Sequence, residues 1–231
     1  MPGRKSMFKT EQQLVESFIQ EAKPRLWTAT AGQTNVRTVF ESTCSTGRAD
    51  WVWASTAGRW PRGQCDQTAE LLQNPTCSWI LSFLKPASPR SEKFLEERSG
   101  VSRRTFRKSL VKLTAIGLVA RLDDGLFVLG QKLHVPNIEI VAFEFKLEDW
   151  RRAFYQATRY RSFSHRVYVV MPTSRVHRAE EHLEAFRRQN IGLLSHGPEE
   201  RPSRILASKK RQPRSRSCFL KALGMLETVS N

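Results

Sequence analysis

Hydrophobic positions recur along this chain in two rhythms, and the switches between them mark its elements. Leu14, Val15, Phe18 and Ile19 have the spacing of one helix face, which predicts a helix over residues 10–22. Glu11 sits on that same stripe, three and four residues ahead of Leu14 and Val15, while Glu16 points elsewhere. Strand-like segments follow at 36–41 and 49–54, joined by the turn-rich stretch Ser42-Thr43-Cys44-Ser45-Thr46-Gly47. Residues 55–64 have the composition of a linker.

The style changes between Asp66 and Leu133. Asn74-Pro75 is an N-cap and first-turn signal for a helix expected to bury Trp79, Ile80, Phe83 and Leu84. Lys85 to Arg90 breaks it, 91–98 reads as a short helix, and Ser99-Gly100-Val101 as a turn. Ser102 then caps a helix that carries Phe106, Leu110 and Leu113 inward, and the chain leaves through Ile116-Gly117-Leu118-Val119 into two short strands over 121–129, turned at Asp123-Asp124-Gly125. After Pro136 the pattern predicts a strand over 138–147, a helix over 149–161, a strand over 167–171, a helix over 174–189 and a strand over 191–194. Residues 197–217 are rich in Pro, Arg and Ser and read as partly loop, with a last helix over 219–227; no internal repeat is visible.

Composition narrows the partner. The chain has 231 residues, room for one large domain or two small ones, and a hydrophobic fraction of 39% sufficient for packed cores. Lys and Arg outnumber Asp and Glu by 38 to 22, a formal charge of +16, which points to nucleic acid or an anionic membrane. There is no apolar run of bilayer-spanning length and no basic amphipathic anchor at the N-terminus, and Met1-Pro2-Gly3-Arg4-Lys5 leads into no signal core. Cys44, Cys65, Cys77 and Cys218 stand alone, without zinc-type spacing. The histidines all lie from His134 onward, and His177 and His182 are five apart where a helical pair of ligands needs four. The expectation is a reduced cytoplasmic protein, nucleoid-associated in a bacterial or archaeal cell, with DNA and not membrane as its partner.

The strand over 138–147 carries the chemistry. Period two puts Val141, Phe143, Phe145 and Leu147 on one face and Ile140, Ala142, Glu144 and Lys146 on the other. Charges on a strand apolar on both sides are costly unless paired or used. A buried Glu144–Lys146 ion pair is one reading. The other follows from Asp50, a carboxylate beside Ala49, Trp51, Val52 and Trp53: if the two strands are neighbours, two carboxylates converge, as a hard divalent cation requires. Lys146 would then position an attacking water or stabilise developing charge.

The set Glu11, Asp50 and Glu144-Phe145-Lys146 resembles the PD-(D/E)XK nuclease superfamily. Gly47-Arg48-Ala49-Asp50, Glu144-Phe145-Lys146 and Gln156-Ala157-Thr158-Arg159-Tyr160 together are similar to the GxxD, ExK and QxxxY pattern of its RecB-like and Cas4-like branch. The resemblance covers residues 10–60 and 136–195. It implies an α/β (α+β) fold with a restriction-endonuclease-like mixed sheet flanked by helices. It also implies Mg²⁺, with Mn²⁺ able to substitute, held by Asp50, Glu144 and the backbone carbonyl of Phe145. Lys146 would serve the attacking water, Glu11 would support the metal or its waters, and Gln156 and Tyr160 would brace the site or contact DNA. No His precedes Asp50, and Ala49 stands where the family name has Pro. Simpler roles stand beside these: Tyr160 belongs to the apolar stripe Trp150, Ala153, Ala157, and Glu11 suits any helix start.

Residues 65–135 resemble a winged helix-turn-helix inserted between the two parts of the nuclease domain, 1–64 and 136–231. Arg103, Arg104, Arg107, Lys108 and Lys112 make a basic face opposite Phe106, Leu110 and Leu113, suited to phosphates and a major groove, or to a protein partner. The basic run Lys209-Lys210-Arg211 with Arg214 and Arg216 suits phosphate contacts or a mobile tail. The chain reads as a Mg²⁺-dependent DNA endonuclease, with a second copy or a motor, defence or repair protein as further partner. The alternative is a catalytically silent nuclease fold that binds DNA or a regulatory partner.

Overall fold

Helix α1 (Glu11–Glu21) leads, through a single 3-10 turn (Pro24–Leu26), into β1 (Asn35–Cys44) and β2 (Gly47–Thr56). The helices α2 (Asp66–Gln73), α3 (Pro75–Phe83), α4 (Glu92–Ser99) and α5 (Arg103–Ala115) follow, then the short strands β3 (Val119–Arg121) and β4 (Phe127–Leu129). The chain continues as β5 (Ile138–Phe145), α6 (Trp150–Tyr160), β6 (Arg166–Pro172), α7 (His177–Glu180), α8 (Leu183–Gln189), β7 (Gly192–Gly197), β8 (Glu200–Leu206) and α9 (Arg216–Glu227). The structure, a computed structural model, describes residues 7–28, 35–44, 47–56, 66–133, 135 and 137–228, with backbone alone at 42–44 and 66. The tip of the expected 42–47 turn, most of the 55–64 linker, Cys65, His134 and Pro136 lie outside the described residues.

The protein is a mixed α+β fold around a six-stranded sheet in the order β1-β2-β5-β6-β7-β8. The pairs β5–β6 and β6–β7 are parallel, and the other neighbours are antiparallel. A parallel pair needs a crossover, and α6 supplies it between β5 and β6. The chain leaves β2 and re-enters β5 side by side, since Thr56 pairs with Ile138. The long intervening segment therefore starts and ends at one place on the sheet.

Period two sorts β5 between two covered faces, and each of its eight residues is buried. Val141, Phe143 and Phe145 join Leu14 and Phe18 of α1 in an aromatic cluster with Trp27, Trp51, Trp53 and Tyr168. Ile138, Ile140 and Ala142 face the other way, against Ala153, Ala157 and Tyr160 of α6. The two small residues let α6 lie close to the sheet, and Asp149 caps its start by accepting from the Arg152 amide. This second cluster runs on through Leu220 and Leu223 of α9 into Ile80, Leu95, Phe106, Leu110 and Leu113, so the segment between β2 and β5 shares its core with the sheet.

Within that segment the local signals act as written. Asn74, Ser91 and Ser102 each accept a backbone N–H three residues on. Gly100 ends α4 at φ 65°, a left-handed conformation that glycine adopts without a Cβ penalty. β3 and β4 pair antiparallel.

Several expectations need correcting. Helix α2 was not anticipated: its apolar residues Ala69, Leu71 and Leu72 find partners in α9, far along the chain. Trp79 is 40% exposed and not buried, with its indole N–H donating to the Arg98 carbonyl. The helix expected over 174–189 is two, α7 and α8, interrupted where His182 leaves helical geometry and stacks on Trp150 at 4.4 Å. The segment 197–217 contains strand β8, and Pro202 is compatible with a strand there because β8 lies at the edge of the sheet. β5 ends at Phe145, two residues short of expectation, although the Lys146 amide still donates to the Val170 carbonyl. No helix among the described residues is long and apolar enough to cross a membrane.

Candidate active site

The antiparallel register of β2 and β5 pairs Trp51 with Phe143, so the next step along each strand brings Asp50 to Glu144. Asp50 Oδ2 accepts the Phe145 amide N–H at 2.8 Å. Glu144 is fully buried, and its Oε2 is hydrogen-bonded to the Tyr160 hydroxyl. That hydroxyl also donates to the Arg48 carbonyl at 2.7 Å. A phenol has one proton and a carbonyl only accepts, so all three groups are satisfied together when Glu144 is protonated and donates to Tyr160.

The other oxygen of Glu144, Oε1, is buried without a hydrogen-bond partner among the described residues and lies 3.5 Å from Lys146 Nζ. Lys146 stands just past the end of the central strand β5, where its ammonium is not held to one face of the sheet. It meets Glu11 Oε2 of α1 at 2.8 Å and the Phe145 carbonyl at 3.1 Å. Glu11 therefore serves through Lys146, from the opposite face of the sheet.

Electrostatics follow from this burial. Loss of water pushes the Glu144 carboxyl up to about 7, helped by the charge of Asp50 and opposed by the bonds from Tyr160 and Lys146. Burial also raises Asp50, against the Phe145 N–H and the Lys146 charge. For Lys146, burial pulls downward, but the Glu11 hydrogen bond and the charges of Glu144, Glu11 and Asp50 outweigh it and leave its pKa raised. Two carboxyl groups thus contact one ammonium and a third, Asp50, lies within its field, a cluster with more carboxyl groups than the positive charge of one ammonium offsets when they are ionised.

A cation is one way to supply that charge. The Glu144 oxygen without a hydrogen bond, the Asp50 carboxylate and the Phe145 carbonyl are hard oxygen donors, of the type Mg²⁺ prefers. Among the described residues no group of three or more His, Cys, Asp or Glu side chains is arranged to hold a metal. A bound ion would therefore take two carboxylates and complete its shell with the carbonyl, water and phosphate oxygens. The donors fit that role.

Gln156 lies one turn before Tyr160 on α6, and its amide oxygen is buried without a partner among the described residues. No hydrogen bond among them joins it to the carboxylates. Two flanking groups were not singled out from sequence. The Arg48 carbonyl is backbone and carries no side-chain signal. Tyr155, 60% exposed, lies under the Arg159 guanidinium at 4.7 Å, and Arg159 packs towards Gly47.

The basic residues of α5 separate into two groups. Arg107 pairs with Glu92 at 3.1 Å and Arg103 with Glu96 at 3.8 Å, both across to α4. Arg104, Lys108 and Lys112 make no ion pair among the described residues and line one hollow with Glu70, Asn74 and Cys77. Exposed Val111 lies within the same basic face. Comparisons with protein-family models, curated proteins and solved structures return no match to this chain.

Proposed function

We propose that this protein is a metal-dependent DNA nuclease whose reacting centre is Asp50, Glu144 and Lys146. The observation that carries this reading is the buried Glu144 carboxyl beside Asp50, with one oxygen that accepts no hydrogen bond among the described residues and meets only the Lys146 ammonium at 3.5 Å. An arrangement that keeps acidic groups poorly solvated weakens the folded state and is characteristic of sites that use them.

Asp50, Glu144 and the Phe145 carbonyl would hold Mg²⁺, or Mn²⁺ in its place. Bound there, the ion would neutralise phosphate charge and lower the pKa of a water. Lys146 would direct the attacking water at phosphorus and stabilise the charge that develops as the phosphorus–oxygen ester bond breaks, with the leaving oxygen taking up a proton. Glu11 holds the Lys146 ammonium in place, and Tyr160 orients Glu144: with the carboxyl ionised, the Tyr160 hydroxyl would turn from the Arg48 carbonyl to donate to Glu144 Oε2. The order α4, Gly100 turn, α5 and β3–β4 suits a winged helix, with α5 against duplex DNA and Arg104, Lys108 and Lys112 on its phosphates.

A second reading has one observation in its favour. Lys146 already bonds Glu11 and the Phe145 carbonyl and lies against Glu144, so the cluster can hold itself together without an ion. A silent DNA-binding protein would look the same at this point. Incubation of supercoiled plasmid and single-stranded circles with Mg²⁺, Mn²⁺ or EDTA separates the two. Metal-dependent nicking is expected, and DNA binding without cleavage under any metal would remove the nuclease reading.

A further inference from the structure

The run Lys209-Lys210-Arg211 with Arg214 is not a loose tail. The segment that carries it is pinned to the turns that lead into β6 and β7. Asn190 exchanges two hydrogen bonds with the Lys209 backbone at 2.8 Å each, and the Ser208 hydroxyl donates to the Asn190 carbonyl. Arg211 N donates to the His165 carbonyl at 3.1 Å, Arg214 N to Arg161 at 2.9 Å and Ser215 N to Ser162 at 3.0 Å. The Lys209, Lys210, Arg211 and Arg214 side chains are exposed on this strap.

Beneath the strap lies Arg161, 2% exposed. Its NH1 donates to the His165 carbonyl at 2.9 Å, while its Nε is buried without a partner among the described residues. Burial and the neighbouring Arg214 and Arg211 charges depress its pKa. No carboxylate among the described residues pairs with Arg161, Lys209, Lys210, Arg211 or Arg214. The buried acid Glu139, whose charge reaches His165, is already committed to Arg166 at 2.5 Å and Thr28 at 3.0 Å. Like charges held together by backbone bonds, with no counter-ion of their own, make a preorganised polyanion surface.

We infer that the pinned, exposed cations Lys209, Lys210, Arg211 and Arg214, backed by the buried charge of Arg161, form a second DNA contact, which takes the backbone phosphates of the strand flanking the cleaved bond. The flanking position rests on the nuclease reading above; the phosphate contact does not. His165 bonds Ile140 of β5, and Glu144 lies four residues further along that strand, roughly 13 Å at the usual strand rise. A membrane surface is the poorer occupant, because no large hydrophobic side chain is exposed on the strap.

The salt dependence of duplex binding in EDTA, where no cleavage occurs, tests this. Each lost phosphate contact should flatten the slope of log K against log salt by about 0.9, so Lys210→Ala/Arg211→Ala/Arg214→Ala should flatten it by up to about 2.7. Between 50 and 200 mM salt the wild type should then lose about 40-fold more affinity than the variant. Lys210→Glu alone, at an exposed side chain, should flatten the slope in the same direction. The comparison variant Arg178→Ala/Arg187→Ala/Arg188→Ala removes the same charge from exposed positions on α7 and α8. An unchanged slope in the strap variants, or an equal change in the comparison variant, would overturn the inference. Cleavage with Mg²⁺ is scored separately: a flattened slope without cleavage keeps the surface and removes the nuclease, and the reverse pattern does the opposite.

Discussion

Replacing Glu144 with Gln should uncouple the stability of this protein from pH in a defined window. The Glu144 carboxyl stands at about 7 in the folded protein against 4.5 as the ordinary value. A carboxyl raised on folding contributes stability that is complete below 4.5 and is lost as pH rises through 7, because the folded state must then carry a buried charge. With 1.36 kcal/mol per pKa unit, the loss between pH 5.5 and 8 is about 2 kcal/mol. His165 works the other way: burial lowers it from 6.5 to about 4, so its contribution is present above 6.5 and fades as pH falls towards 4. That rise, about 1.4 kcal/mol over the same window, occurs in both proteins and cancels in their difference. Urea unfolding in EDTA at pH 5.5 and 8 measures the difference directly. Wild type minus Glu144→Gln should fall by about 2 kcal/mol from the lower to the higher pH, a midpoint change on the order of 1 M urea. A difference that stays constant across pH would show that Glu144 titrates normally, and the electrostatic account of the site would fail.

Three further outcomes are expected. At pH 8 Mg²⁺ should raise the unfolding free energy of the wild type in urea by about 2.7 kcal/mol at a hundredfold excess over Kd, and should leave Asp50→Ala unmoved; equal stabilisation of both would place the ion elsewhere. Gly224→Ala should lower the melting temperature by a few degrees. Its new Cβ would lie 2.7 Å from the Ala69 carbonyl oxygen and from Leu72 Cβ, an overpacking cost of about 1–3 kcal/mol against roughly 1 kcal/mol of helix propensity gained; a higher melting temperature would mean that α9 and α2 separate easily. Arg104→Ala/Lys108→Ala should flatten the salt dependence of duplex binding by about 1.8, whereas Arg103→Ala/Arg107→Ala, whose guanidinium groups already face α4 carboxylates, should change it less; the reverse order would exchange their roles.

Much of this geometry was legible in the chain because the signals are local. Alternation across β5 separates Phe143 and Phe145 from Ala142 and Glu144, and the caps Asn74 and Ser102 each accept the N–H their position predicts. The approach of Asp50 to Glu144 was also readable, as a need of two carboxylates in apolar strands. What escaped depends on partners distant in sequence. Helix α2 is held by α9, β8 is completed by β7, and Trp79 finds a polar partner at Arg98 instead of the core. Periodicity places Lys146 on the Glu144 face, but nothing in it says that β5 stops at Phe145 and lets the ammonium reach Glu11. The ion pairs that divide the α5 cations, and the backbone bonds that turn 209–214 from a tail into a strap, are equally invisible to residue spacing.

In the proposed nuclease, Asp50 and Glu144 would hold the ion that serves phosphodiester cleavage. Asp50→Asn is the most direct probe, because an amide oxygen can still accept the Phe145 N–H while the charge is gone. The measurement is the single-turnover rate of plasmid nicking with saturating Mg²⁺, for wild type and Asp50→Asn at matched folding stability. The account predicts nicking by the wild type and a loss of about 10²–10³-fold or more in the variant. Equal rates in the two proteins would contradict it.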